Sequence, residues 1–110
     1  MDAQIALGKL RESFSRSIED PKRVLVVEDE EAVRRLVVRL LADAGYEVEI
    51  ACDAEDTIEA FIRGDGFDLV ICDAQMKDSN GGRLFQRLRR LAPELPILHL
   101  DAIARALRTT

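Results

Sequence analysis

The spacing of apolar residues along the chain changes period several times. Residues 24 to 27, "VLVV", form a short β-branched run. In the following "EDEEAVRRLVVRLLADAG", Val33, Leu36, Val37, Leu40 and Leu41 recur every three or four positions. This predicts a buried strand and then an amphipathic helix, stopped by Gly45. "YEVEIA" alternates Tyr46, Val48 and Ile50 with Glu47 and Glu49, the pattern of a strand near a sheet edge with one face in water. In "DAEDTIEAFIRGDG", Asp53 stands as the N-cap of a helix whose buried stripe is Ile58, Phe61 and Ile62. "FDLVIC" reads as a third strand ending at Asp73. The loop "AQMKDSNGG" leads into a helix, "RLFQRLRRLA", and Pro93 and Pro96 bracket the passage to a last apolar run, "ILHL". Short strands alternating with helices predict βαβ units and a parallel sheet. The closing "DAIARALRTT" has room for one short helix and no fifth strand.

Ahead of the first strand, Leu7, Leu10, Phe14 and Ile18 step by three and four, and Asp20 and Pro21 interrupt the pattern. Residues 1–20 are therefore expected to form an appended amphipathic helix in front of a domain at 21–110. A length of 110 residues allows about one domain. No apolar run approaches the roughly 20 residues that span a bilayer, and the first residues lack a secretory signal, so no membrane and a cytoplasmic location are expected. The net charge of −5 opposes binding to nucleic acid, which requires clustered cations. Arg83, Arg87, Arg89 and Arg90 fit a solvated helix face, with a partner-docking face as the alternative. Cys52 and Cys72 lie in or beside β-like segments and read as small, inert, buried thiols.

The acids carry the chemistry. In an open parallel α/β sheet the ligand crevice lies beyond the carboxyl ends of the strands, where the strand order reverses. Glu28, Asp29 and Glu30 follow the first strand, and Asp73 follows the third. In a 2-1-3-4 order Glu28, Asp29 and Asp73 converge. Such a cluster repels itself unless a cation intervenes, and hard oxygen ligands suit Mg2+. A carboxylate beside a metal can act as nucleophile toward a phosphoryl group. Taken singly, first-turn acids merely favour a helix dipole and a strand-end aspartate caps a turn. Their joint placement points to a metal pocket.

With "VLVVEDEEAVRRLVVRLLADAGYEVEIACDAEDTIEAF", "FDLVICDAQMKDSNGG" and "PILHLDA" in this order, residues 22–104 resemble the receiver domain of two-component response regulators. The resemblance implies a flavodoxin-like doubly wound α/β fold, here with about four strands. It also implies a signalling module rather than an enzyme, taking a phosphoryl group from the phosphohistidine of a histidine kinase or phosphotransfer protein. By position Asp73 resembles the phosphoacceptor and Asp29 the direct Mg2+ ligand. Glu28 corresponds to a partner acting through water, and Gln75 to a main-chain carbonyl ligand.

The departures are specific. Lys77 stands where the family commonly has proline, which leaves the acceptor loop less constrained and offers a cation to the phosphoryl group. Asp101 stands where the family has a threonine or serine hydroxyl that bonds a phosphoryl oxygen and starts the switch. The family's strand-five lysine has no counterpart. A phosphorylation-independent pseudo-receiver acting through protein contacts is therefore the alternative. A phosphohydrolase is weaker, since Gln75 stands where a second acid is usual, and dinucleotide binding is weaker still, since no G-x-G-x-x-G follows the first strand. His99 reads as a packed histidine. The stripe Leu7, Leu10, Phe14 and Ile18 is expected to cover the shortened sheet, within the chain or across a homodimer.

Overall fold

The structure is a computed structural model describing residues 22–63 and 66–100. The stripe Leu7, Leu10, Phe14 and Ile18 and the departing Asp101 lie outside the described residues. The elements follow as β1 (Arg23–Val27), α1 (Glu31–Asp43), β2 (Glu47–Ala51), α2 (Ala54–Ile62), β3 (Leu69–Cys72), α3 (Leu84–Leu91) and β4 (Ile97–His99). The strands form one sheet in the order β2-β1-β3-β4, each pair parallel, as the acidic motifs required. None of the described helices is long and apolar enough to cross a membrane.

β1 and β3 lie inside the sheet and are apolar on both faces, as strands covered on two sides must be. Val24, Val26, Leu69 and Ile71 join Val37 and Leu41 of α1 in one core. Leu25, Val27, Val70 and Cys72 join Ala54 and Ala60 of α2 and Leu84 and Leu88 of α3 in the other. β2 is one of the two outer strands of the described sheet, as its alternation predicted, and carries Glu47 and Glu49. Both acids pair with Arg23, and Glu49 pairs also with Arg63.

Three expectations change in detail. Ile62 is 78% exposed, because α2 lays its small residues Ala54, Thr57 and Ala60 on the sheet and carries Ile62 round to water. Ile58 and Phe61 remain partly buried at its flank. Cys52 is exposed, since the chain leaves the sheet at Ala51, whereas Cys72 is buried as expected. α1 ends at Asp43 with Ala44 as C-cap, and Gly45 follows with φ +94°, a left-handed conformation that glycine adopts without a Cβ penalty.

His99 packs as expected. Its ring stands edge-on to Phe85 of α3, with centroids 4.9 Å apart. Among the described residues its Nδ1 is buried with no hydrogen-bond partner.

Candidate functional site

Strand register builds the site. Val27 pairs with Ala51 on one side and Cys72 on the other, so Glu28, Cys52 and Asp73 leave the sheet side by side at its carboxyl end. An open cleft of about 350 Å3 lies there, bordered by Asp29, Cys52, Asp53, Ala54, Asp73, Gln75, Met76 and Lys77. Asp29, Asp73, Gln75 and Lys77 are thus brought together as the motifs suggested.

Glu28 stands behind this cleft. It is 4% exposed, and its Oε1 accepts a hydrogen bond from the Glu30 N–H at 2.9 Å. Burial raises the Glu28 carboxyl above its ordinary range, with further upward pushes from a hydrogen bond to Asp29 and the charges of Asp29 and Asp73; the Glu30 N–H opposes them. These interactions show that the three acids share one electrostatic environment. The main chain around Glu28 is pinned from both sides, since its N–H donates to Ala51 O at 3.1 Å and its carbonyl accepts from Arg34 Nη1 at 2.9 Å.

Asp73 is half-buried, and its Oδ1 accepts from the Gln75 N–H at 2.8 Å. That bond folds the following loop back over the strand end. Among the described residues Oδ2 has no such partner. Behind it, the Cys72 thiol is pushed up to about 12, first by burial and then by the charges of Asp73 and Glu28, which removes it from thiolate chemistry at neutral pH.

The loop from Asp73 to Arg83 is laced by hydrogen bonds. Lys77 and Arg83 form an antiparallel bridge, and the Leu84 N–H donates to Met76 O at 2.9 Å. Asp78 Oδ1 accepts from the N–H groups of Asn80 at 2.8 Å and Gly82 at 3.0 Å. Arg83 Nη1 donates to Ala74 O at 3.0 Å and Gln75 Oε1 at 2.5 Å. In the folded conformation hydrogen bonds and one arginine hold the loop in place of the proline ring.

Cys52 and Asp53 were not singled out for this cleft by sequence. The signal available was register, because a parallel β1/β2 pair in step carries the residues after Ala51 to the same rim. Asp53 is held as the N-cap of α2, its Oδ1 accepting from the Asp56 N–H at 2.8 Å.

Among the described residues no three acidic, histidine or cysteine side chains already surround one point as a ready-made metal cluster. Mg2+ keeps several waters and commonly takes one or two carboxylates. The oxygen donors Asp29 and Asp73, with buried Glu28 behind them, fit that hard cation.

Residues 24–106 match the response regulator receiver domain family. The chain belongs to that family. The receiver match has relatives of several architectures. One is the transcriptional regulatory protein DltR of Streptococcus agalactiae, 39% identical over 80 residues that cover 73% of this chain and 35% of DltR. Another is the sensor histidine kinase RcsC of Salmonella typhimurium, 34% identical over 87 residues, or 79% of this chain and 9% of RcsC. The receiver chain therefore spans about a third or less of these relatives. Among solved structures, the response regulator TrrA of Thermotoga maritima, in complex with Mg2+ and BeF, is similar with a TM-score of 0.59 and 32% identity, covering 69% of this chain and 65% of TrrA. The sheet order and helices are those of the flavodoxin-like receiver fold.

Proposed function

We propose that this receiver domain accepts a phosphoryl group on Asp73 from the phosphohistidine of a histidine kinase or phosphotransfer protein. The observation that carries the reading is the meeting of Asp29 and Asp73 in one cleft at the carboxyl ends of adjacent parallel strands. Asp73 Oδ2 is the attacking atom, because the Gln75 N–H occupies Oδ1. The bond from phosphorus to the donor imidazole nitrogen breaks as the bond from phosphorus to Oδ2 forms, and the electron pair of the broken bond stays on the imidazole. Mg2+ would be held by Asp29, Asp73 and the main-chain carbonyl of Gln75, with Glu28 acting through water. When bound, it supplies positive charge that neutralises the transferring oxygens. Lys77, on the rim of the same cleft, adds a cation toward the incoming group.

The acyl phosphate on Asp73 is a signalling state rather than a turnover intermediate, and two-component signal transduction is the role that follows. The upstream partner follows from the same family logic: a kinase or phosphotransfer protein, in the cytoplasm.

Intact-mass analysis after incubation with a small-molecule phosphodonor, with and without Mg2+, tests the reading. A Mg2+-dependent phosphoryl adduct that disappears in Asp73→Asn supports it. No adduct in folded protein sinks it and favours the pseudo-receiver. Asp101 motivates that second reading, because an ionised carboxylate at the family's hydroxyl position has no donor and repels a phosphoryl dianion.

A further inference from the structure

α2 and α3 lie side by side over one face of the sheet, and a furrow runs between them on their outer side. Toward the carboxyl end of the strands it is an open cleft of about 290 Å3, bordered by Glu55, Ile58 and Glu59 of α2 and by Arg87 of α3. Toward the amino end it is a cleft of about 300 Å3, bordered by Phe61, Phe67, Ala92 and Leu95. Helical spacing joins the two. Ile62 lies one turn beyond Ile58 and Glu59, and Leu91 one turn beyond Arg87. Both helices run the same way, because each connects two strands of one parallel sheet.

The walls of the furrow are unlike in charge and alike in apolar exposure. Glu55 and Glu59 stand in water on the α2 wall, while Arg87 is half-buried on the α3 wall, with Arg90 one turn further along. Among the described residues Glu55, Glu59, Arg87 and Arg90 make no ion pair. Ile62 is 78% and Leu91 54% exposed. Acids and arginine thus face one cleft without closing it, beside two large apolar side chains left in water.

We propose that this furrow is the contact surface for a second copy of the chain, docked about a two-fold axis that runs along the furrow. Such an axis exchanges the walls, setting α2 of each copy against α3 of the other at the same height. Glu55 and Glu59 then meet Arg87 of the second copy, Ile62 meets its Leu91, and every contact occurs twice. A two-fold axis across the furrow would set α2 against α2 and α3 against α3, opposing like charges. A partner carrying charge of one sign would suit one wall and be repelled by the other. The surface is therefore complementary to itself. The proposal does not depend on the phosphoryl reading.

Sedimentation velocity of the whole chain should show a monomer–dimer equilibrium with a dissociation constant below about 1 mM that weakens as salt rises. Glu59→Arg and Arg87→Glu each turn two symmetry-related attractions into repulsions. Each alone should weaken dimerisation roughly tenfold or more with far-UV circular dichroism unchanged. An equimolar mixture of the two variants should restore the dimer, since each introduced charge then faces its complement. A chain that stays monomeric at about 1 mM overturns the proposal, as does a dimer that neither substitution weakens or that the mixture fails to restore. If a charge variant unfolds, a short bismaleimide added to mixed Ile62→Cys and Leu91→Cys chains, both carrying Cys52→Ser, decides. Cross-linked dimer in excess of that formed by either chain alone supports the interface; no excess overturns it.

Discussion

Asp53 stands in two settings at once, and substitution separates them. Its Oδ1 caps α2 through the Asp56 N–H at 2.8 Å, while Asp56 Oδ2 reaches back to the Cys52 N–H at 3.3 Å. The same residue borders the acidic cleft, where it could be taken for a fourth metal ligand. The committed hydrogen bond argues for the cap. Asp53→Ala removes the acceptor and should cost about 1 kcal/mol, because one helix N–H loses its partner. For a domain of this size that lowers Tm by roughly 4–8 °C. Asp53→Ser keeps an oxygen in capping reach and should melt within about 2 °C of the original, since serine ranks with aspartate at this position. Both variants delete one exposed charge from the rim, worth about 2 kcal/mol or less against a divalent ion in high dielectric, so Mg2+ affinity should weaken by no more than about thirtyfold. Thermal melts by circular dichroism and a Mg2+ titration read the two effects separately. Loss of Mg2+ binding in the Asp53→Ser variant would refute the reasoning and make Asp53 a ligand; an Asp53→Ala variant that melts like the original would refute the cap.

The remaining predictions concern the same rim. Glu28 binds its proton more tightly in the folded chain than in the unfolded one, so its contribution to stability is complete below the ordinary value of 4.5 and is lost as pH rises through the raised folded value. Glu28→Gln should therefore raise Tm at pH 7 without divalent cation and flatten the melting profile over that window; a lower Tm there would contradict the burial argument. Arg83→Ala frees the Ala74 carbonyl and the Gln75 side chain, and should weaken Mg2+ binding several-fold with a stability loss of about 1–3 kcal/mol; calorimetry and melts check both. Leu88→Ala removes a side chain with no exposed surface from the core under α3 and should cost about 2–5 kcal/mol in urea unfolding. Iodoacetamide at pH 8 should label Cys52 alone, with Cys72 reacting only after denaturation, as mass spectrometry of digests would show.

Local patterning alone determined the element order, the edge position of β2 and the cap at Asp53. These depend on side-chain periodicity and on hydrogen bonds between near neighbours, which the order of residues states directly. The same reading placed Asp29 and Asp73 at one end of the sheet, because acids that directly follow strands of a parallel sheet lie at its carboxyl end, whereas Gln75 and Lys77 were reached only through the family resemblance. Only the tertiary structure decided the rest. Register carried Cys52 and Asp53 to the acidic rim, and a register is a relation between segments that neither states by itself. Glu28 and Asp29 are adjacent in sequence, yet burial sends one behind the cleft and the other into it. Ile62 belonged to an apolar stripe, but α2 approaches the sheet through alanines and a threonine, and that close approach leaves the larger side chain in water. The acceptor loop shows the same division. A lysine in place of proline signals a looser chain, while the Arg83 guanidinium, ten residues from Asp73, holds the loop through contacts that exist only once β3 and α3 are packed.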